Sequence, residues 1–162
     1  MSELNPYARF LDERPVTEIL TETPRTISSL LEKMGPGRAF EAPAPGKWSA
    51  GEIIAHLADC ELVFGFRLRQ TLAEDNPTVQ PFDQDKWSAN YNTIEPPEAF
   101  AAFSALRKWN LLLLETALPT AAERKVTHPE RGTMTFQTIV ETMAGHDRNH
   151  LGQLERIARK FA

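Results

Sequence analysis

Four long segments whose apolar residues recur at spacings of three and four predict an all-α protein, a four-helix bundle. Glycine and proline punctuate the ends of these segments, and no stretch of any length alternates apolar and polar residues as a strand does. Four helices of about 20 residues would each span roughly 30 Å, the length at which bundle helices pack side by side.

The first helix is expected over Val16–Met34. Val16, Ile19, Leu20, Thr23, Ile27, Leu30, Leu31 and Met34 trace one face. Pro24 falls inside this pattern, so the helix either kinks there or restarts, with Thr23 as cap and Pro24 in the new first turn. Gly35-Pro36-Gly37 ends it. After the loop EAPAPGKW, Ser49 and Glu52 form an S-x-x-E capping box ahead of an apolar run. The second helix is expected from Ser49 to about Ala73, with Ile53, Leu57, Cys60, Phe64 and Leu68 on its buried stripe. Residues 74–94 are polar, with two prolines and three aromatics. A connection of that length in a compact domain is often functional. The third helix is expected from Pro96-Pro97 to Leu118, closed by Pro119, with Phe100, Phe103, Leu106, Leu113 and Ala117 on its face. AAERKVTHPERGTM reads as a further polar connection. The fourth helix is expected from Thr135 to about Lys160, its face supplied by Phe136, Ile139, Val140, Met143, His150, Leu151, Leu154, Ile157 and Phe161.

A chain of 162 residues suits one domain, taken as 1–162. Lys plus Arg is 18 against 22 Asp plus Glu, a net charge of −4, which argues against a nucleic-acid-binding surface. No run of about 18 consecutive apolar residues predicts a membrane span. The leading MSELNPYARFLDERP lacks the apolar stretch of a secretion signal, so the expected location is the cytoplasm. Cys60 is the only cysteine, which excludes an intrachain disulfide and any zinc module needing two cysteines from one chain.

Three of the four histidines carry the chemistry. His146 and His150, in AGHDRNHLGQ, are four apart and share a helical face, so both imidazoles can reach one metal ion. Asp147 stands where the zinc proteases of the HExxH type carry their general base, so that mechanism is missing. His56 continues the inward stripe of the second helix. Three buried imidazoles are costly without partners, and one divalent ion satisfies all three lone pairs at once. His128, in a loop before Pro129, is left out of this set.

The segment PAPGKWSAGEIIAHLADCE, with Trp48 before the capped second helix and His56 within it, resembles the DinB/YfiT-like superfamily. GHDRNHLGQLERI resembles that family's second histidine motif, in the expected order and separation. The resemblance covers nearly the whole chain. It implies an up-down-down-up bundle with the long connection between helices 2 and 3, and a metal triad of His56, His146 and His150. It also implies a divalent ion, nickel or zinc first and iron or manganese as alternatives, and a homodimer. Relatives include metal-dependent hydrolases and S-transferases that use a low-molecular-weight thiol such as bacillithiol or mycothiol. The expectation is thus an enzyme acting on a small-molecule substrate, with such a thiol as a candidate cosubstrate. The rival is a non-catalytic metal-binding or interaction module.

Around the triad the residues leave alternatives. Asp59 is the candidate catalytic residue, as general base or as hydrogen-bond partner of a metal-bound water; its other reading is a solvated or salt-bridged carboxylate. Cys60 is either a fourth ligand or a small buried hydrophobe. Asp147 orients a neighbour, pairs with Arg148 or is solvated. Trp48 is expected as a hydrophobic lid where the second helix begins. Trp87, Asn90 and Tyr91 either line a pocket mouth or anchor the long connection. Gly145 and Gly152, costly inside a helix, point to close helix approach or to room for substrate.

Overall fold

The computed structural model describes residues 4–35 and 37–161; Pro36, expected in the first helix stop, and residues 1–3 and 162 of the expected domain lie outside it. Five helices are present among the described residues: α1 (Val16–Met34), α2 (Ala50–Ala73), the short α3 (Gln84–Trp87), α4 (Pro96–Ala121) and α5 (Phe136–Phe161). A hairpin of β1 (Lys125–His128) and β2 (Gly132–Thr135) joins α4 to α5. No described helix is long and apolar enough to cross a membrane.

Local signals set the helix ends. Ser49 Oγ accepts from the Glu52 N–H at 3.2 Å, and Glu52 Oε2 accepts from the Ser49 N–H at 2.7 Å, which closes the capping box. Thr23 is not a cap: its hydroxyl donates back to the Ile19 carbonyl at 2.9 Å, and α1 runs unbroken through Pro24. The bond that Pro24 cannot make leaves the Leu20 carbonyl free, and Arg107 Nη1 donates to it at 2.8 Å. Pro119 does not close α4 either. The bond it removes belongs to Glu115, an exposed residue near the helix end, and the helix continues to Ala121.

The hairpin replaces what reads in sequence as a structureless polar connection. Each strand has four residues, too few to show a period. Val126 and Met134 pair across it and face the core, while the Thr127 and Thr133 hydroxyls meet at 3.1 Å on the other side. The long connection is tied to its free edge: the Val79 N–H donates to the Thr127 carbonyl at 2.9 Å, and the Thr127 N–H to the Pro77 carbonyl at 2.8 Å.

Helix directions follow from who meets whom. Along α2 and α4, Gly51 lies against Pro96, Glu61 meets Arg107 and Asn110, and Gly65 lies against Asn110, so these helices are parallel. A Cβ on Gly65 would stand 2.6 Å from Asn110 Oδ1, so only glycine permits this approach. His56 meets His146, whereas Phe64 shares a cavity wall with Ile139, so α5 runs against α2. Tyr7 and Asp12, ahead of α1, meet Gly145 and Arg148, and Lys33 shares a groove with Arg159, so α1 runs with α5. The bundle is therefore up-down-down-up. Parallel α2 and α4 oblige the chain to travel back along roughly 36 Å of helix between them, and residues 74–95 make that return.

Two apolar clusters fill the interior. One joins Ile27, Ile53, Leu57, Phe103, Leu154 and Ile157; the other joins Leu20, Leu68, Leu114, Val126, Phe136 and Val140. Polar groups lie between them. Buried Arg107 donates to both Asp147 oxygens, at 2.6 and 3.0 Å, and to Glu61 Oε1 at 2.7 Å. Asn110 Nδ2 donates to Glu61 Oε2 at 2.9 Å. Burial by itself lowers the pKa of Arg107, but the carboxylates, Asp147 foremost, outweigh it and raise that pKa, so the side chain stays a cation. Of the alternatives for Asp147, neither the pairing with Arg148 nor the solvated face is what forms: Asp147 is turned inward to Arg107, and Arg148 reaches Asp12 at 3.7 Å on the surface.

Removing one partner of a buried ion pair costs about 3–5 kcal/mol, because the other charge is stranded. Arg107→Leu strands two carboxylates and is expected to lower Tm by roughly 10 °C or more. Arg107→Lys should recover only part, since one ammonium cannot span Asp147, Glu61 and the Leu20 carbonyl. Thermal melts of the three proteins check this, and an unchanged Tm in Arg107→Leu refutes it.

Candidate metal centre

His56 projects from α2, and His146 and His150 project from successive turns of α5. All three are buried. His146 Nε2 lies 3.0 Å from His56 Nε2 and 3.1 Å from His150 Nε2, and one donor atom from each residue falls within 4.8 Å of the others. Metal–imidazole bonds of about 2.0–2.1 Å place neighbouring ligand nitrogens about 2.8–3.4 Å apart, from octahedral to tetrahedral geometry. Both separations from His146 fall in that range, as a single shared ion requires.

The surroundings fix both the charge and the orientation of the rings. Burial lowers the pKa of His56 to about 3, with the nearby His150 adding to the effect. Burial also holds His146 well below its ordinary value, helped by His150 and His56. His150 is lowered by burial too, opposed by its hydrogen bond to Gln153 and by the Asp147 charge. All three imidazoles are therefore neutral at neutral pH, the form that binds metal. Gln153 Oε1 lies 3.0 Å from His150 Nδ1 and accepts a hydrogen bond from its N–H, which leaves the Nε2 lone pair toward the other histidines. Sequence reasoning missed Gln153. Its spacing of three from His150 on one helix was the available signal.

Aromatic rings enclose the cluster. Trp48 packs 5.1 Å from the His56 ring, as expected of a lid at the start of α2. Tyr7 meets His146 edge-on at 5.0 Å, and Phe64 lies 6.1 Å from the same ring. Gly145 admits Tyr7: a Cβ there would stand 2.6 Å from the Tyr7 carbonyl. The close approach at Gly145 is thus made by the segment before α1. Gly152 has no such neighbour, since a Cβ would meet only Arg156 Nη1 at 3.6 Å.

The remaining candidates separate. Cys60 Sγ sits 3.5 Å from His56 Nε2 and 3.9 Å from His146 Nε2, beside the cluster and outside the compact donor set. Burial pushes its thiol pKa up, with Asp59 and Glu61 adding, so it is protonated. Asp59 Oδ2 accepts from the Tyr91 hydroxyl at 2.6 Å. Tyr91 is buried and also packs 6.0 Å from Trp48, so it anchors the long connection to the site. Trp87 is 41% exposed against Phe82, and Asn90 is exposed; neither contacts the histidines. His128 is buried in β1, where its Nδ1 accepts from the Glu130 N–H, apart from the cluster.

The arrangement has relatives. The DinB superfamily matches residues 19–154 of the chain. A protein of Oceanobacillus iheyensis is 25% identical over 99% of this chain and 98% of its own length, and carries a provisional name as a metal-dependent hydrolase. A Bacillus cereus protein with the same provisional name is 22% identical over 96% of this chain and 95% of its own. The solved structure of YfiT from Bacillus subtilis superposes with a TM-score of 0.81 at 21% identity, covering 93% of this chain and 91% of that one. It is described as a probable metal-dependent hydrolase with an unusual four-helix bundle topology.

Unfolding returns each imidazole to an ordinary pKa near 6.5. Below that pH the unfolded chain binds protons that the folded chain refuses. Metal-free protein is therefore expected to lose stability as pH falls through 6.5, by up to about 1.4 kcal/mol per pH unit for each histidine. Urea midpoints at pH 7.5, 6.5 and 5.5 check this. A midpoint that holds constant across the range would mean that the folded histidines titrate normally.

Proposed function

The chain belongs to the DinB superfamily, and from that premise we propose that it is a metal-dependent hydrolase acting on a small molecule. The observation that carries the reading is the convergence of three neutral Nε2 atoms, two of them 3.0 and 3.1 Å from the third, in a buried setting walled by aromatic rings. The names of the relatives support the same class. His56, His146 and His150 would hold the ion, and imidazole ligands suit zinc and nickel. A divalent ion bound there supplies Lewis acidity, which acidifies water and polarises a carbonyl or phosphoryl oxygen.

The other side chains set the conditions for that chemistry. Three uncharged ligands contribute no negative charge to offset that of the ion. Gln153 holds His150 in the tautomer that presents Nε2. Trp48, Tyr7 and Phe64 keep bulk water away from the imidazoles, which strengthens electrostatic interactions inside. Asp59 is the group we assign to accept the proton of the attacking water. It stands three residues beyond His56 on α2, and the Tyr91 hydroxyl holds one of its oxygens. Cys60 remains a thiol and takes no part as nucleophile.

Protein purified without a histidine tag is expected to carry near-stoichiometric zinc or nickel, and His56→Ala and His150→Ala to lose it. Gln153→Leu should weaken metal affinity about 10–100-fold. Asp59→Asn should keep the metal and lower turnover of a chromogenic ester such as p-nitrophenyl acetate about 100-fold. Metal that survives both histidine substitutions refutes the centre. Turnover that requires an added low-molecular-weight thiol assigns group transfer in place of hydrolysis.

A further inference from the structure

Where α2 begins, the loop ahead of it and the last turns of α5 enclose a cavity of about 580 Å³, within the size range of small-molecule sites. Buried Ile53 and Ile157 give it an apolar floor, and half-buried Trp48 forms one wall. Two cations line it from different elements, Lys47 on the loop and Arg156 on α5, and no carboxylate lines it. Neither cation is in an ion pair with a described residue. The chain carries a net charge of −4, so the cavity is positive against the sign of the whole protein. Arg156 folds back along its helix: Nη1 lies 3.6 Å from where a Cβ of Gly152 would stand, one turn nearer His150. Lys160 of α5 donates to the Pro43 carbonyl of the loop and ties one side of the cavity to the other.

The cavity shares two side chains with the metal centre. Trp48 packs on His56, and Gln153 accepts from His150. Because the Gln153 oxygen is taken by the His150 N–H, what this amide offers to the cavity is its NH₂ group, a donor. Lys47, Arg156 and Gln153 thus supply three donors around an apolar floor, a set that suits an acceptor bearing negative charge.

We propose that this cavity binds a small organic acid: a carboxylate or phosphate held by Arg156, Lys47 and the Gln153 amide, on an aromatic or aliphatic body that lies against Trp48, Ile53 and Ile157. The acid meets the metal centre through Gln153 and Trp48, and its binding does not depend on the metal-centre reading.

Isothermal titration calorimetry of the full-length, zinc-loaded chain tests this, with sodium benzoate, phenyl phosphate and uncharged benzamide as separate probes. An acid should bind at least about tenfold more tightly than benzamide, and Arg156→Gln and Lys47→Gln should each weaken it about 5–10-fold. Added salt should weaken it too, since both cations are exposed. Binding of benzoate alone assigns a carboxylate, and of phenyl phosphate alone a phosphate; either supports the site. No binding of either acid, equal binding of benzamide, or undiminished affinity in both variants would overturn it. The titration is repeated after zinc is stripped with a chelator and the chelator dialysed away. Affinity that vanishes then would put the acid on the ion and overturn the cavity site, whereas affinity that persists supports it whatever becomes of the metal centre.

Discussion

Arg107 is the point from which the geometry of the bundle can be understood. Its guanidinium is buried and reaches three other helices: the Leu20 carbonyl on α1, Glu61 on α2 and Asp147 on α5. Such a group tolerates little displacement, because any bond it loses leaves a charge or a carbonyl unpaired in a dry interior. The metal candidates share its helices. Glu61 is five residues beyond His56, and Asp147 stands between His146 and His150. What fixes α2 against α5 at the ion network therefore also fixes one imidazole against the other two. The site needs that rigidity, since a ligand set loses affinity when its atoms drift by a fraction of an ångström.

The order of the helices supplies the second constraint. Parallel α2 and α4 cannot be joined by a short turn, so the connection climbs the bundle and passes the site. Tyr91 on that connection donates to Asp59 and packs on Trp48, which in turn covers His56. The lower part of the same connection pairs with β1. A segment that topology obliges to be long is fastened at both ends and closes one flank of the histidine cluster.

Much of this was legible in the sequence because its causes are local. A capping box, apolar spacing and glycine stops lie within a few residues of the ends they set, and α1, α2 and α5 fall where those signals put them. The histidines were legible for a related reason: two share one helix face and the third sits on a strongly apolar stripe. Non-local causes were not legible. Whether Pro24 breaks α1 depends on Arg107, 83 positions later, filling the bond it leaves open. Asp147 reads as a surface acid until α4 brings a guanidinium to it. Phe103, Arg107, Asn110 and Leu114 do follow a helical spacing, and polar members at such positions were the one available hint of a buried network. The hairpin escaped because strands of four residues carry no period and draw their order from neighbours.

The junction of Pro24 and Arg107 has an evolutionary meaning. A carbonyl oxygen can accept two hydrogen bonds. A lineage that replaced Pro24 would regain the ordinary helix bond at Leu20 and keep the arginine contact, so that step is open at any time. A lineage that replaced Arg107 first would strand the carbonyl together with both acids. Loss of the arginine strands both acids whatever stands at position 24, so the proline is the freer of the two to change and the arginine would outlast it.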